Sequence, residues 1–149
     1  MIVNGQHLLA AMPIKGMVAE KRRLHGVSYG LSEAGYDIRI KQSITMTPEH
    51  RFTLASAIEE FQMPADLVGV VHDKSTWARH GLSLLNTIIE PSWCGFLTLE
   101  LVYHGGCELH IPAGAGIAQV LFSRIQADAY YDGKYQGQAD MPIAARFDQ

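Results

Sequence analysis

The chain has 149 residues, of which 48% are hydrophobic and 18% charged, and carries a net charge of -3. That length suits a single domain over residues 1–149, burying roughly two thirds of the surface its unfolded form exposes, and the composition excludes disorder as the main state. The acidic balance gives no basic face for nucleic acid, no apolar run approaches the roughly 18 residues of a membrane span, and residues 1–10 do not read as a secretory signal, so a cytoplasmic protein is expected, with neither nucleic acid nor membrane as partner.

Leu8, Leu9 and Met12 stand at helical spacing behind Asn4, which predicts one short N-terminal helix over residues 4–12 capped by Asn4. Thereafter the pattern is mainly β. Tyr36, Ile38 and Ile40 alternate with polar residues, and further strand-like runs follow at 51–54, 67–71, 88–89, 96–103, 107–111 and 117–122. Turn formers such as Thr47-Pro48-Glu49, Met63-Pro64-Ala65-Asp66, Glu90-Pro91-Ser92 and His104-Gly105-Gly106 punctuate them, a layout that predicts a sandwich, jelly roll or distorted barrel. The segment 130–149 is rich in Gly and Gln and weak in apolar pattern; it either frays or orders over a ligand or a neighbouring subunit. Cys94 and Cys107 form no Cys-x-x-Cys pair and read as buried or half-buried free thiols, and the seven His lack metal-ligand spacing.

Three groups of residues carry candidate chemistry. Glu100 interrupts the apolar run Phe96-Leu97-Thr98-Leu99-Glu100-Leu101-Val102 and is either a solvated outward residue or a carboxyl held in a poorly solvated pocket, where it could handle protons. In the alternation expected of a strand it shares a face with Phe96, Thr98 and Val102. Ser75 and Arg79 share a face if Lys74-Ser75-Thr76-Trp77-Ala78-Arg79 makes a helical turn, and that turn is either an anion cradle with Lys74 beside it or a capped surface helix start. Glu90 and Trp93, on the turn Glu90-Pro91-Ser92-Trp93, either bind and size a sugar or serve as a turn residue and a lid on the core.

Taken together, Tyr36-Asp37-Ile38-Arg39-Ile40, Met63-Pro64-Ala65-Asp66, Lys74-Ser75-Thr76-Trp77-Ala78-Arg79-His80-Gly81, Ile89-Glu90-Pro91-Ser92-Trp93-Cys94-Gly95, Thr98-Leu99-Glu100, Ile117-Ala118-Gln119-Val120 and Lys134-Tyr135-Gln136-Gly137-Gln138 resemble the dCTP deaminase branch of the trimeric dUTP pyrophosphatase superfamily. The resemblance implies a distorted jelly roll assembled as a homotrimer with sites shared between subunits, and zinc-independent hydrolysis of dCTP to dUTP and ammonia. By position it implies Glu100 as general acid/base, with Ser75 and Arg79 placing water and pyrimidine. It further implies Lys74 and Lys134 on phosphates, Glu90 and Trp93 on deoxyribose, and Gln138 of a closing tail on the base, with Asn86, Gln119 and Tyr131 as further substrate contacts. Magnesium is expected only as a counterion on the triphosphate, and dTTP as a possible inhibitor. The zinc deaminases' H-x-E and P-C-x-x-C signature is missing from the sequence. Two departures stand out: Glu90 replaces the usual Asp, and Asn86-Thr87 sits in a shortened stretch where Thr-Ala is common. The alternatives are a dUTP pyrophosphatase, a bifunctional enzyme that proceeds to dUMP, and a nucleotide-binding regulatory module without turnover.

Overall fold

A computed structural model of the chain describes residues 1–148. Its elements run β1 (Ile2–Val3), α1 (Gly5–Ala11), β2 (Lys21–Leu24), β3 (Val27–Leu31), β4 (Tyr36–Arg39), β5 (Ile44–Met46), β6 (Phe52–Gln62), β7 (Leu67–Asp73), α2 (Ser75–Ala78), β8 (Leu82–Leu84), β9 (Ile88–Ile89), β10 (Cys94–Tyr103), β11 (Leu109–Ile111) and β12 (Gly116–Arg124). One sheet has the order β2-β3-β4-β12-β7-β9, with β1 also on β12; a second is β6-β10-β8; β5 and β11 form a third, and all these pairs are antiparallel. Ile38, Ile40, Phe61, Leu99, Leu101, Val120 and Phe122 have no exposed surface and join the strands in one core.

β12 binds the first sheet together because it pairs with β4 on one side and β7 on the other. Close approach requires small residues along these strands. A Cβ on Gly116 would lie 1.9 Å from the Ser28 carbonyl oxygen, and one on Gly35 would lie 2.2 Å from that of Val120. The β2–β3 hairpin closes through His25 and Gly26, both at positive φ (53° and 77°), the backbone of a tight turn that matches strand twist.

The expected α1 is present, but Asn4 does not cap it through its side chain; the amide donates instead to the Glu33 carbonyl at 2.8 Å. β6 extends far beyond the expected 51–54, through Ala55-Ser56-Ala57-Ile58-Glu59-Glu60. Partners override local preference there. Ala55 faces Leu99 and Ser56 faces Thr98, after which the register shifts so that Glu60 meets Phe96, and Ala57 bridges to Ile40. In that irregular stretch Glu59 is 4% exposed and accepts hydrogen bonds from the Arg39 backbone N–H and Nε, each at 2.8 Å. Burial pushes its carboxyl above the ordinary value, against the opposing pull of Arg39.

Both thiols, expected to be buried or half-buried, are exposed. Cys94 opens β10 and Cys107 lies between β10 and β11, so neither points into the core. Among the described residues no helix is long and apolar enough to cross a membrane.

Candidate active site

A cavity of about 650 Å³ opens between β10, the segment from Leu85 to Trp93, and the C-terminal segment. Leu99 and Leu101 turn into the core with no exposure, which sends Glu100 to the other face, half-buried and lining the cavity. The expected face is altered at one end: Leu97, rather than Phe96, joins Thr98 and Glu100 on the wall, beside the register shift between Phe96 and Thr98. Phe52, Leu54, Leu85 and Ile88 supply much of the apolar wall, and Glu90, Glu100 and Gln138 supply polar groups. An apolar hollow with a few convergent polar groups is the usual form of a small-molecule site.

Asn86 faces β10 with both ends of its amide. Its Oδ1 accepts from the Glu100 backbone N–H at 2.9 Å and its Nδ2 donates to the Thr98 carbonyl at 2.7 Å. Thr98 in turn receives the C-terminal segment: its hydroxyl donates to Gln138 Oε1 at 3.3 Å and accepts from the Ile143 N–H at 3.0 Å.

That segment forms no helix or strand, yet it does not fray. The Trp93 indole donates to the Tyr135 carbonyl at 2.6 Å, Phe96 N–H donates to the Gln138 carbonyl at 3.1 Å, and Gly137 N–H donates to that of Cys94 at 2.9 Å. Gly95 makes the approach possible. Its φ is +130°, and a Cβ there would sit 2.5 Å from the Gln138 nitrogen. Trp93 is 6% exposed with its ring centroid 6.0 Å from that of Phe61, so it both covers the core and anchors the segment. Gln149, the last residue of the expected tail, lies outside the described residues.

The cavity therefore gathers Glu100, Asn86, Glu90, Trp93, Tyr131 and Gln138. It does not gather Ser75, Arg79, Lys74, Gln119 or Lys134. Ser75, which opens α2, and Arg79, which caps its C-terminal end, are both exposed on the expected helical turn, which Trp77 fastens by donating from its indole to the Gly116 carbonyl at 2.6 Å. Lys74 turns inward. Its Nζ lies 2.6 Å from Asp37 Oδ2 and 3.0 Å from Ser28 Oγ, with its side chain 11% exposed and that of Asp37 3% exposed. Gln119, on β12, donates to Ser32 Oγ at 3.0 Å, and Lys134 is exposed, with Asp148 at 3.3 Å. Sequence reasoning missed Tyr135, which also lines the cavity. Its signal was its place between Lys134 and Gln136 in a motif already singled out.

The sequence model of the dCTP deaminase-like family matches residues 36–125, which hold β4 through β12 and so the whole strand wall of the cavity. The chain belongs to this family. The chain is 33% identical to the dCTP deaminase of Roseiflexus castenholzii (strain DSM 13941 / HLO8), covering 84% of this chain and 86% of that protein. In fold it resembles the solved native dUTPase of EIAV, with a TM-score of 0.58 at 18% identity over 83% of this chain and 92% of the other. It also resembles the dUTPase of the S. aureus phage phi11, described with a structural Mg(II) ion, with a TM-score of 0.56 at 15% identity over 76% of this chain and 88% of the other. The fold is thus mainly β and dUTPase-like, the distorted jelly roll expected of the dCTP deaminase family. Within that family frame, residues 126–148 fall after the matched region, and they reach the cavity through the bonds to Trp93, Phe96 and Thr98.

Proposed function

We propose that the chain hydrolyses dCTP to dUTP and ammonia. The observation that carries this reading is Glu100: a carboxylate on a buried strand, facing a largely apolar cavity, with no described residue hydrogen-bonded to its oxygens. A carboxylate not held by a cation or a hydroxyl is available to take and return a proton. Water loses a proton to Glu100 and attacks C4 of cytosine; the proton passes to N3 of the ring. A further proton transfer from the water-derived hydroxyl to the amino nitrogen lets ammonia leave, and the C4 carbonyl of dUTP remains. Gln138 reads the base from the C-terminal segment, which closes over the site, with Tyr131 as a further contact, while Glu90 and the rigid Trp93 ring receive the deoxyribose.

Ser75 and Arg79 would reach this cavity from a second copy, as the homotrimer reading requires. Support comes from their exposed positions at the two ends of the α2 turn and from the apolar residues Phe52, Leu85 and Ile88, which are 52%, 57% and 48% exposed beside the cavity. Lys134, also exposed, is assigned to phosphate. Lys74 and Gln119 are instead held by Asp37 and Ser32, and the reading leaves them in structural roles. Magnesium would be held by the phosphate oxygens and water. It would supply charge neutralisation to the triphosphate. A cytoplasmic setting and inhibition by dTTP belong to the same reading, both following from a place in deoxynucleotide supply.

A second reading, dUTP pyrophosphatase activity alone or after deamination, draws on Glu90, a carboxylate on the cavity wall that could activate water toward phosphate. Incubation with dCTP and with dUTP, measuring ammonia, dUTP, dUMP and pyrophosphate, separates them. Ammonia with an intact triphosphate is the expected result; pyrophosphate would favour the second reading, and binding without product would leave a regulatory module.

A further inference from the structure

β8 pairs with β10 from Leu82 opposite Tyr103 to Leu84 opposite Leu101, and Leu85 N–H adds one bond to the Glu100 carbonyl at 2.9 Å. There the backbone leaves the sheet. The next two ladder groups on that edge of β10 are the Glu100 N–H and the Thr98 carbonyl, and the Asn86 side chain meets both, at 2.9 and 2.7 Å. An amide has one acceptor and one donor end, as a strand residue has, so it can stand in for backbone. On the opposite edge β10 keeps its pairing with β6 only as far as Ser56 opposite Thr98 before the register shifts. The stretch that carries Glu100 therefore depends on Asn86 to be held from both sides.

We propose that Asn86 is a positioning residue for the deamination, extending β10's ladder with its side chain and thereby fixing the direction of the Glu100 carboxylate, and that it is not a nucleotide contact. This rests on the deaminase reading of Glu100. It also gives a physical use to the departure from the common Thr-Ala pair in the shortened stretch: a side chain replaces the lost backbone pairing.

Asn86→Ala removes both bonds. Its kcat for ammonia release from dCTP is expected to fall about 10- to 100-fold, the scale of a small misplacement of a reacting group, with KM within about threefold of wild type. The pH dependence of kcat should shift with it, because the carboxyl that sets it is no longer held in place. Hydrogen exchange at the Glu100 amide, read without nucleotide, should speed up about tenfold. Asn86→Asp keeps the acceptor for Glu100 N–H and loses the donor to Thr98, so that amide should stay protected while kcat falls less than in Asn86→Ala; this variant decides the matter if the alanine variant does not fold. A large rise in KM at unchanged kcat would make Asn86 a nucleotide contact and overturn the proposal. An unchanged kcat with faster exchange would reduce the clamp to architecture. No ammonia from the wild type would overturn the deaminase reading, and with it Asn86's service to the reaction; exchange at Glu100 would then report only whether the clamp exists.

Discussion

Asp37, Glu59 and Glu100 are acidic residues on strands, and their neighbours separate them. Asp37 meets Lys74 and Glu59 meets Arg39, whereas Glu100 faces the cavity without a hydrogen-bonding partner among the described residues. The paired acids hold structure; among the described residues, Glu100 is free to do chemistry. Replacing Glu100 by Gln keeps its shape and removes its proton chemistry, so turnover should drop by about 10²- to 10⁴-fold, while dCTP binding, measured by calorimetry, stays near normal. Near-normal deamination by Glu100→Gln would end the assignment. Lys74→Met strands the buried Asp37 carboxylate, whose Oδ1 already lacks a partner, and should cost about 3–5 kcal/mol in denaturant unfolding. The double variant Lys74→Met, Asp37→Leu should recover much of that loss, because the lone charge is gone.

Glu59 gives a pH signature at the same scale. Its carboxyl is raised above the ordinary carboxylate value by burial, so the folded chain holds this proton more tightly than the unfolded chain does. The associated stability is complete below the ordinary carboxylate range and is lost as pH rises through the raised value. Melting temperatures of wild type and Glu59→Gln measured from pH 4 upward (an approximate start) should therefore shift in the variant's favour as pH increases. A difference independent of pH would mean that Arg39 cancels the effect of burial.

At the scale of elements, β10 and the C-terminal segment act together, and Gly95 is where they touch. Gly95→Ala puts a methyl group against the Gln138 backbone at a φ that L-residues rarely adopt, which costs about 1–3 kcal/mol locally. Limited proteolysis after Tyr130 should then become faster, and addition of dCTP should protect the segment less than in wild type. Strands with strong apolar alternation, β4, β7, β10 and β12, were legible in the sequence because burial writes its period into them. β2 was not, since all of its residues are exposed and its ladder with β3 leaves no apolar period in the sequence. The far half of β6 was hidden by Ala and Glu, residues that do not favour strands, placed there by their partners. Of the site, the sequence motifs marked Glu100, Asn86, Glu90, Trp93, Tyr131 and Gln138, which line the cavity, but the inward turn of Lys74 and the clamp by Asn86 were not legible, because neither bond partner is near in sequence.

For the whole molecule, the proposed sharing of the site between copies is tested by mixing variants. Glu100→Gln and Ser75→Ala should each be inactive alone. Mixed after dissociation and reassembly, they should regain activity, because some cavities receive an intact glutamate from one copy and an intact serine from another. No recovery in a mixture shown to have exchanged its chains would argue that each copy works by itself.

The C-terminal segment is bonded to both Trp93 and Thr98, which line the cavity, and under the proposed function release of the nucleotide product waits on those bonds opening. The first round of uridine nucleotide should consequently appear as a rapid burst in stopped-time sampling, followed by a slower steady phase that lengthens as solvent viscosity rises.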